Sequence, residues 1–213
     1  MKSYLTFLIA ALLFLLGAVL LGLQAKGAGP LPGDLEFTRL LQRAVPYNDS
    51  VKLLWNALGE ILRYSPYVAI VIALLLRKWD WALLLALATM PIALFGESQL
   101  KPIFHRSRPT ADLVAIYQVS KGTGFPSGTA LQAMALVGTM LYLARLSGKS
   151  KISIAVIVVS VVYLLLSNLA RVHVGAHWAT DIVGGWLFAS AWLALLLAGH
   201  QWWLDRQPDV EPA

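Results

Sequence analysis

The chain has 213 residues, of which 58% are hydrophobic and only 13% charged, with a mean hydropathy of +0.68; soluble domains run near about 45–50% apolar and about 25% charged, so an ordinary soluble domain is excluded. The net charge of +6 does not indicate nucleic acid as a partner, because the cations stand at the ends of apolar runs and form no solvated stripe. With no Cys in the chain, disulfides, a thiolate nucleophile and Cys-based metal sites are all ruled out.

Six apolar runs follow one another, at about 4–24, 58–76, 79–96, 127–144, 152–170 and 182–199. Each is near the ~20 residues that a helical span requires, which predicts an all-α polytopic membrane protein with residues 1–213 as a single domain. Lys2 and small residues flank the first run as in a secretory signal, but its apolar stretch exceeds the ~7–15 residues of a signal core, so a retained helix is expected. Residues 34–45 space their apolar positions as an amphipathic helix does, predicting an interfacial helix on the outer leaflet. The second run is the weakest, because Glu60 and Arg63 intrude; its outer turn is expected at the interface. Trp178, Trp186, Trp202 and Trp203, with Tyr64 and Tyr67, lie near run ends and read as an aromatic belt. The stretch 206–213 reads as a short disordered tail.

Orientation follows from Lys and Arg outside the run ends that carry motifs. Lys2, Arg77, Lys78, Arg145, Lys149, Lys151 and Arg206 fall on one side if six helices alternate, and that side is expected to be cytoplasmic. The opposite side receives 25–57, 97–126 and 171–181, so three chemistry-bearing segments reach one outer face.

The first of these segments carries Lys101, Arg106 and Arg108, with Pro109 holding Arg108 extended. Arg offers a planar fork for two phosphate oxygens and Lys a mobile point charge, although cations beside a membrane also bind anionic headgroups. In the second, Pro126, Ser127 and Gly128 open the fourth run. Ser127 reads as an N-cap; the same geometry directs free N–H groups and the positive dipole end at an anion, and Gly128 removes the Cβ that would block it. The third holds Arg171, His177 and Asp181. At a spacing of four on a helix start, His177 and Asp181 share a face, as a nucleophile and its orienting carboxylate, a structural pair, or two ligands of a metal would.

Together the segments resemble the signature of the type 2 phosphatidic acid phosphatase (PAP2) superfamily: Lys-x6-Arg-Pro, Pro-Ser-Gly-His and Ser-Arg-x5-His-x3-Asp. Lys101, Arg108 and Pro109 fit the first part, Pro126, Ser127 and Gly128 the second, and Arg171, His177 and Asp181 the third. The resemblance implies that His177 is the nucleophile, forming a phosphohistidine, and that Asp181 orients it. Lys101, Arg108, Arg171, Ser127 and the Gly128 backbone would hold the phosphoryl oxygens, with neither metal nor other cofactor.

Two positions depart from the pattern. Ala170 replaces the third-motif Ser, and Thr129 occupies the catalytic position of the second-motif His, which protonates the leaving group in the family. A threonine hydroxyl donates a hydrogen bond but is too weak an acid to deliver a proton near neutral pH. His105 and His173 are the candidates to replace it. A diphosphate loses a monophosphate whose pKa near ~6 lets it leave unprotonated. With Lys101, Arg106 and Arg108 stabilising the departing charge, undecaprenyl diphosphate at the outer face of the inner (plasma) membrane is the expected substrate. The alternatives are a phosphatidic acid, phosphatidylglycerophosphate or lipid A phosphatase, a lipid phosphotransferase, and a catalytically impaired lipid-phosphate binder.

Overall fold

The computed structural model describes residues 3–147 and 151–206. Lys2, Lys149 and the stretch 207–213 of the expected tail lie outside these. The described residues are all-α: α1 (Ser3–Ala25), α2 (Asp34–Ala44), α3 (Asp49–Leu75), α4 (Trp79–Pro91), a π-helical segment (Ile92–Gly96), α5 (Glu97–Phe104), α6 (Gly128–Leu146), α7 (Lys151–His173) and α8 (Ala179–Leu204). Among them are six candidate spans, each long and apolar enough to cross a membrane, with α4, the π segment and α5 forming one.

Local chemistry sets several boundaries. The Asn48 side chain caps α3 by accepting the Val51 N–H at 2.9 Å, so this helix begins nine residues ahead of the apolar run that revealed it. Pro91 ends α4 and has no N–H to offer the carbonyl of Leu87 one turn earlier. The indole of Trp192 on α8 donates to that carbonyl instead, at 3.1 Å, and the chain passes into its π-helical turn. Such turns are frequent near functional sites, and α5 with Lys101 follows directly.

Helices α6 and α8 form the centre. Leu136 and Leu143 of α6 and Leu193 and Leu197 of α8 share an apolar cluster with Leu84, Leu85 and Ala88 of α4. α1 packs along α8 and leaves Leu12 and Leu13 exposed, as expected for a lipid-facing helix. At Gly185 a Cβ would lie 2.7 Å from Ala130 Cβ and 2.8 Å from the Ser127 carbonyl. Only glycine lets the starts of α6 and α8 approach this closely, and those starts carry two of the three segments.

The expected amphipathic helix exists as α2, with Phe37 and Leu40 exposed. It does more than lie at an interface. Asp34 and Thr38 are buried, and Arg39 and Gln42 hold the carbonyls of Leu113 and Ala115 in the loop after α5. The aromatic belt needs one correction: Trp178 is fully buried and donates to the Ser107 carbonyl at 3.2 Å, so it packs inside the site. Trp202, Trp203, Tyr64 and Tyr67 are exposed as expected.

Candidate active site

The three segments, dispersed over some eighty residues, meet where α5 ends and where α6 and α8 begin. Asp181 is their hub. It is completely buried in the first turn of α8, where Oδ2 accepts the Trp178 N–H at 2.9 Å and Oδ1 accepts from Arg106 Nη1 at 2.7 Å. Its carbonyl accepts the Ser127 N–H at 3.0 Å, tying the start of α6 to that of α8.

His177 lies two residues before α8, so it does not share a helical face with Asp181 as the spacing suggested. Instead the carboxylate reaches back around the cap, and His177 Nδ1 lies 3.3 Å from Asp181 Oδ2. His177 Nε2 lies 3.2 Å from Arg108 Nη1. A guanidinium only donates, so Nε2 bears the lone pair and the proton is on Nδ1, facing Asp181. Burial pulls the imidazole pKa down to about 4, against the pull of Asp181 the other way. The ring is therefore neutral near pH 7.

Arg108 is placed by backbone carbonyls, with Nη1 donating to Ala176 at 2.6 Å and Nε to Gly122 at 3.0 Å. Burial lowers its pKa, while Asp181 raises it. Arg171 donates through Nη1 to Gln118 at 2.8 Å, and its buried Nε has no partner. Ser127 is the N-cap of α6, its hydroxyl accepting the Ala130 N–H at 3.4 Å.

Lys101 is ion-paired with Glu97 one turn earlier on α5. A Cβ on Gly128 would lie 2.6 Å from Glu97 Oε2, so this carboxylate rests against the N-terminus of α6. A side chain of the protein itself thus occupies a place that suits an anion.

Arg106 is not among the cations open to a ligand. Its side chain is fully buried, with Nη2 2.6 Å from Asp34 Oδ2 and Nη1 also bound to Thr180 Oγ1 at 2.6 Å. Asp34 in turn accepts the Thr180 N–H at 2.9 Å. The network Asp34–Arg106–Asp181 thus locks α2 and α8 behind the imidazole. Nothing in the sequence pointed to Asp34, which stands far from every motif; Glu97 and Lys101 are four apart just past the run at 79–96, and the structure continues that run into α5, which brings the pair onto one helical face. Among the described residues, no group of three or more His, Cys, Asp or Glu stands together as a metal would require.

Thr129 and Ala170 both line a cavity of about 610 Å³ that also takes in Arg171. Neither candidate for the missing acid reaches it with a free nitrogen. His173 is fully buried with both nitrogens bonded, to Trp55 and to the Val45 carbonyl. His105 is exposed at the left-handed C-cap of α5, with φ 47°.

A membrane-spanning α-helical fold with a buried His–Asp pair ringed by Lys101, Arg108 and Arg171 is the kind of protein that handles an anionic group at a membrane face. The chain belongs to the PAP2 superfamily, whose family model matches residues 67–205. Its fold is similar to the crystal structure of a transmembrane PAP2-type phosphatidylglycerolphosphate phosphatase from Bacillus subtilis, with a TM-score of 0.68 and 18% sequence identity. That likeness covers 94% of this chain and 98% of the other. No curated protein matches the chain in sequence.

Proposed function

We propose that the chain is a metal-independent phosphatase of membrane lipid phosphates that works through a phosphohistidine on His177. The observation that carries this reading is the imidazole itself. Held by Asp181 at Nδ1, neutral, and turned with Nε2 toward Arg108, it offers a lone pair beside a cation. In the reaction Nε2 attacks phosphorus, the ester or anhydride oxygen departs with its electron pair, and Asp181 stabilises the resulting ring cation. Water then attacks the phosphohistidine and releases orthophosphate. Lys101, Arg108, Arg171, Ser127 and the Gly128 N–H hold the phosphoryl oxygens as charge develops, with Thr129 donating at most a hydrogen bond.

The leaving group selects the substrate. With no imidazole replacing the second-motif His, a group that departs unprotonated is favoured, which points to a lipid diphosphate, best undecaprenyl diphosphate. The positive-inside bias supports a multi-pass placement in the inner (plasma) membrane with the site on the periplasmic or extracellular face.

Phosphate release from undecaprenyl diphosphate by the purified chain in EDTA tests this, alongside His177→Ala. The wild type should release phosphate and carry an acid-labile phosphoryl label; the variant should do neither. Substantial turnover by His177→Ala, or loss in EDTA restored by one metal, would refute the reading. A second reading, a lipid-phosphate binder without turnover, draws on Thr129; binding without release from any lipid phosphate would establish it.

A further inference from the structure

The two positions that depart from the family motifs sit on different helices, Thr129 on α6 and Ala170 on α7, yet they are walls of the same 610 Å³ cavity. Imidazole and hydroxymethyl groups would both reach further into it, so the departures together widen the space next to Arg171. That volume suits a small-molecule ligand of about 300–1,000 Å³. Arg171 also lines it, and its buried Nε has no partner.

The α3 wall supplies Lys52, Glu60 and Arg63. With Arg171, three cations face one carboxylate. Glu60 and Arg63 lie within a candidate span, Asp49–Leu75, where ionisable groups are costly unless they meet a partner or a water-filled cavity. Arg63 Nη1 lies 3.4 Å from the Glu60 carboxylate, and both side chains are more than half exposed. An exposed pair of this kind contributes little and is easily broken. A phosphate, which a guanidinium can grip through two N–H groups, competes with it readily.

We infer that this cavity is an anion subsite on the leaving-group side of the reaction centre, and that Arg63 is the residue that selects a lipid diphosphate over a lipid monophosphate. The inference rests on the phosphatase reading above and adds the place where the second phosphate sits. When His177 Nε2 attacks the terminal phosphorus, the bond from that phosphorus to the bridging oxygen breaks. The electron pair stays on the bridging oxygen, now part of a lipid monophosphate. Arg63 and Lys52 hold that charge, so no proton need come from residue 129.

Binding of inorganic diphosphate and of orthophosphate to the full chain in detergent, by calorimetry, is the test. The wild type should bind diphosphate about ten-fold more tightly, the equivalent of one additional charge-assisted contact. Arg63→Gln should erase that preference by weakening diphosphate alone, with an unchanged melting temperature, and Arg63→Lys should keep part of it. No preference in the wild type, or equal weakening of both ligands in Arg63→Gln, overturns the inference. Phosphate release by wild type against His177→Ala, run in parallel, separates the two readings. An inert wild type with an Arg63-dependent preference sinks the phosphatase reading alone. An active one whose preference ignores Arg63 sinks the subsite alone.

Discussion

The indole of Trp55 donates to Nδ1 of His173 across 3.0 Å. Because an indole nitrogen only donates, the ring proton of His173 is on Nε2, which gives it to the Val45 carbonyl at 2.6 Å. Tyr117 stacks on the same imidazole, with ring centroids 5.6 Å apart. His173 thus fastens the end of α7 to α3 and to the segment before it, and no nitrogen remains for a substrate. His200 bonds Tyr142 at 2.9 Å, toward the far ends of α8 and α6. With His105 exposed and outside the cavity that Thr129 lines, residue 129 has no imidazole understudy there.

Restoring the acid should matter most where the leaving group needs a proton. Thr129→His is expected to raise kcat/KM on phosphatidic acid by about 10²-fold or more, within the range for general acid catalysis. On undecaprenyl diphosphate the gain should be several-fold smaller, since that leaving group departs unprotonated. Phosphate release from both lipids by the two proteins gives the ratio; equal gains would dismiss the leaving-group argument.

The state of His177 can be read without substrate. Its pKa is pulled down to about 4 by burial, below the ordinary ~6.5. A lowered histidine pKa means that the neutral ring persists as pH falls below 6.5 and is lost only through about 4. With four histidines in the chain, nitrogen-15 NMR of the labelled protein, with His177→Gln for assignment, should show one ring titrating near that value. A midpoint at 6.5 would contradict the buried environment.

Glu97 rests on the start of α6 and pairs with Lys101, in the place where the proposed reaction seats the phosphoryl group. Glu97→Gln removes a negative charge from an anion site. Vanadate inhibition should become several-fold tighter, corresponding to about 0.5–1 kcal/mol for a pair whose carboxylate is half exposed. Weaker inhibition in Glu97→Gln would mean that the carboxylate positions Lys101 and does not compete.

Asp34 and Arg106 are both completely enclosed. Breaking a buried pair leaves an uncompensated charge, at about 3–5 kcal/mol. Asp34→Ala should lower the melting temperature in detergent and also reduce turnover, because Arg106 then loses the partner that fixes it against Asp181. A melting temperature equal to that of the wild type would show that the network is not structural.

The placement of the site on one membrane face can be tested in this Cys-free background. Ser120 lies in the loop between α5 and α6, and Ser147 at the other end of α6. With single Cys residues introduced there, a membrane-impermeant thiol reagent should label position 120 in intact cells and spare position 147. The reverse pattern would invert the topology.

The sequence by itself determined the six apolar spans and the three segments at their ends, because hydrophobic run length and short-range spacing are local properties. It also singled out His177, Asp181, Lys101, Arg108 and Arg171 as candidates, each through the company of its neighbours in the chain. The tertiary structure alone decided what the remaining polar groups do. Arg106 looks like a ligand cation beside Arg108 until Asp34, 72 residues away, encloses it. His173 looks like a spare acid until Trp55, 118 residues away, takes its nitrogen. Thr129 and Ala170 read as separate departures until α6 and α7 pack and place them on one cavity with Arg63. No local periodicity encodes such pairings, because they arise only when helices distant in the chain are packed against each other and the buried polar groups between them find partners.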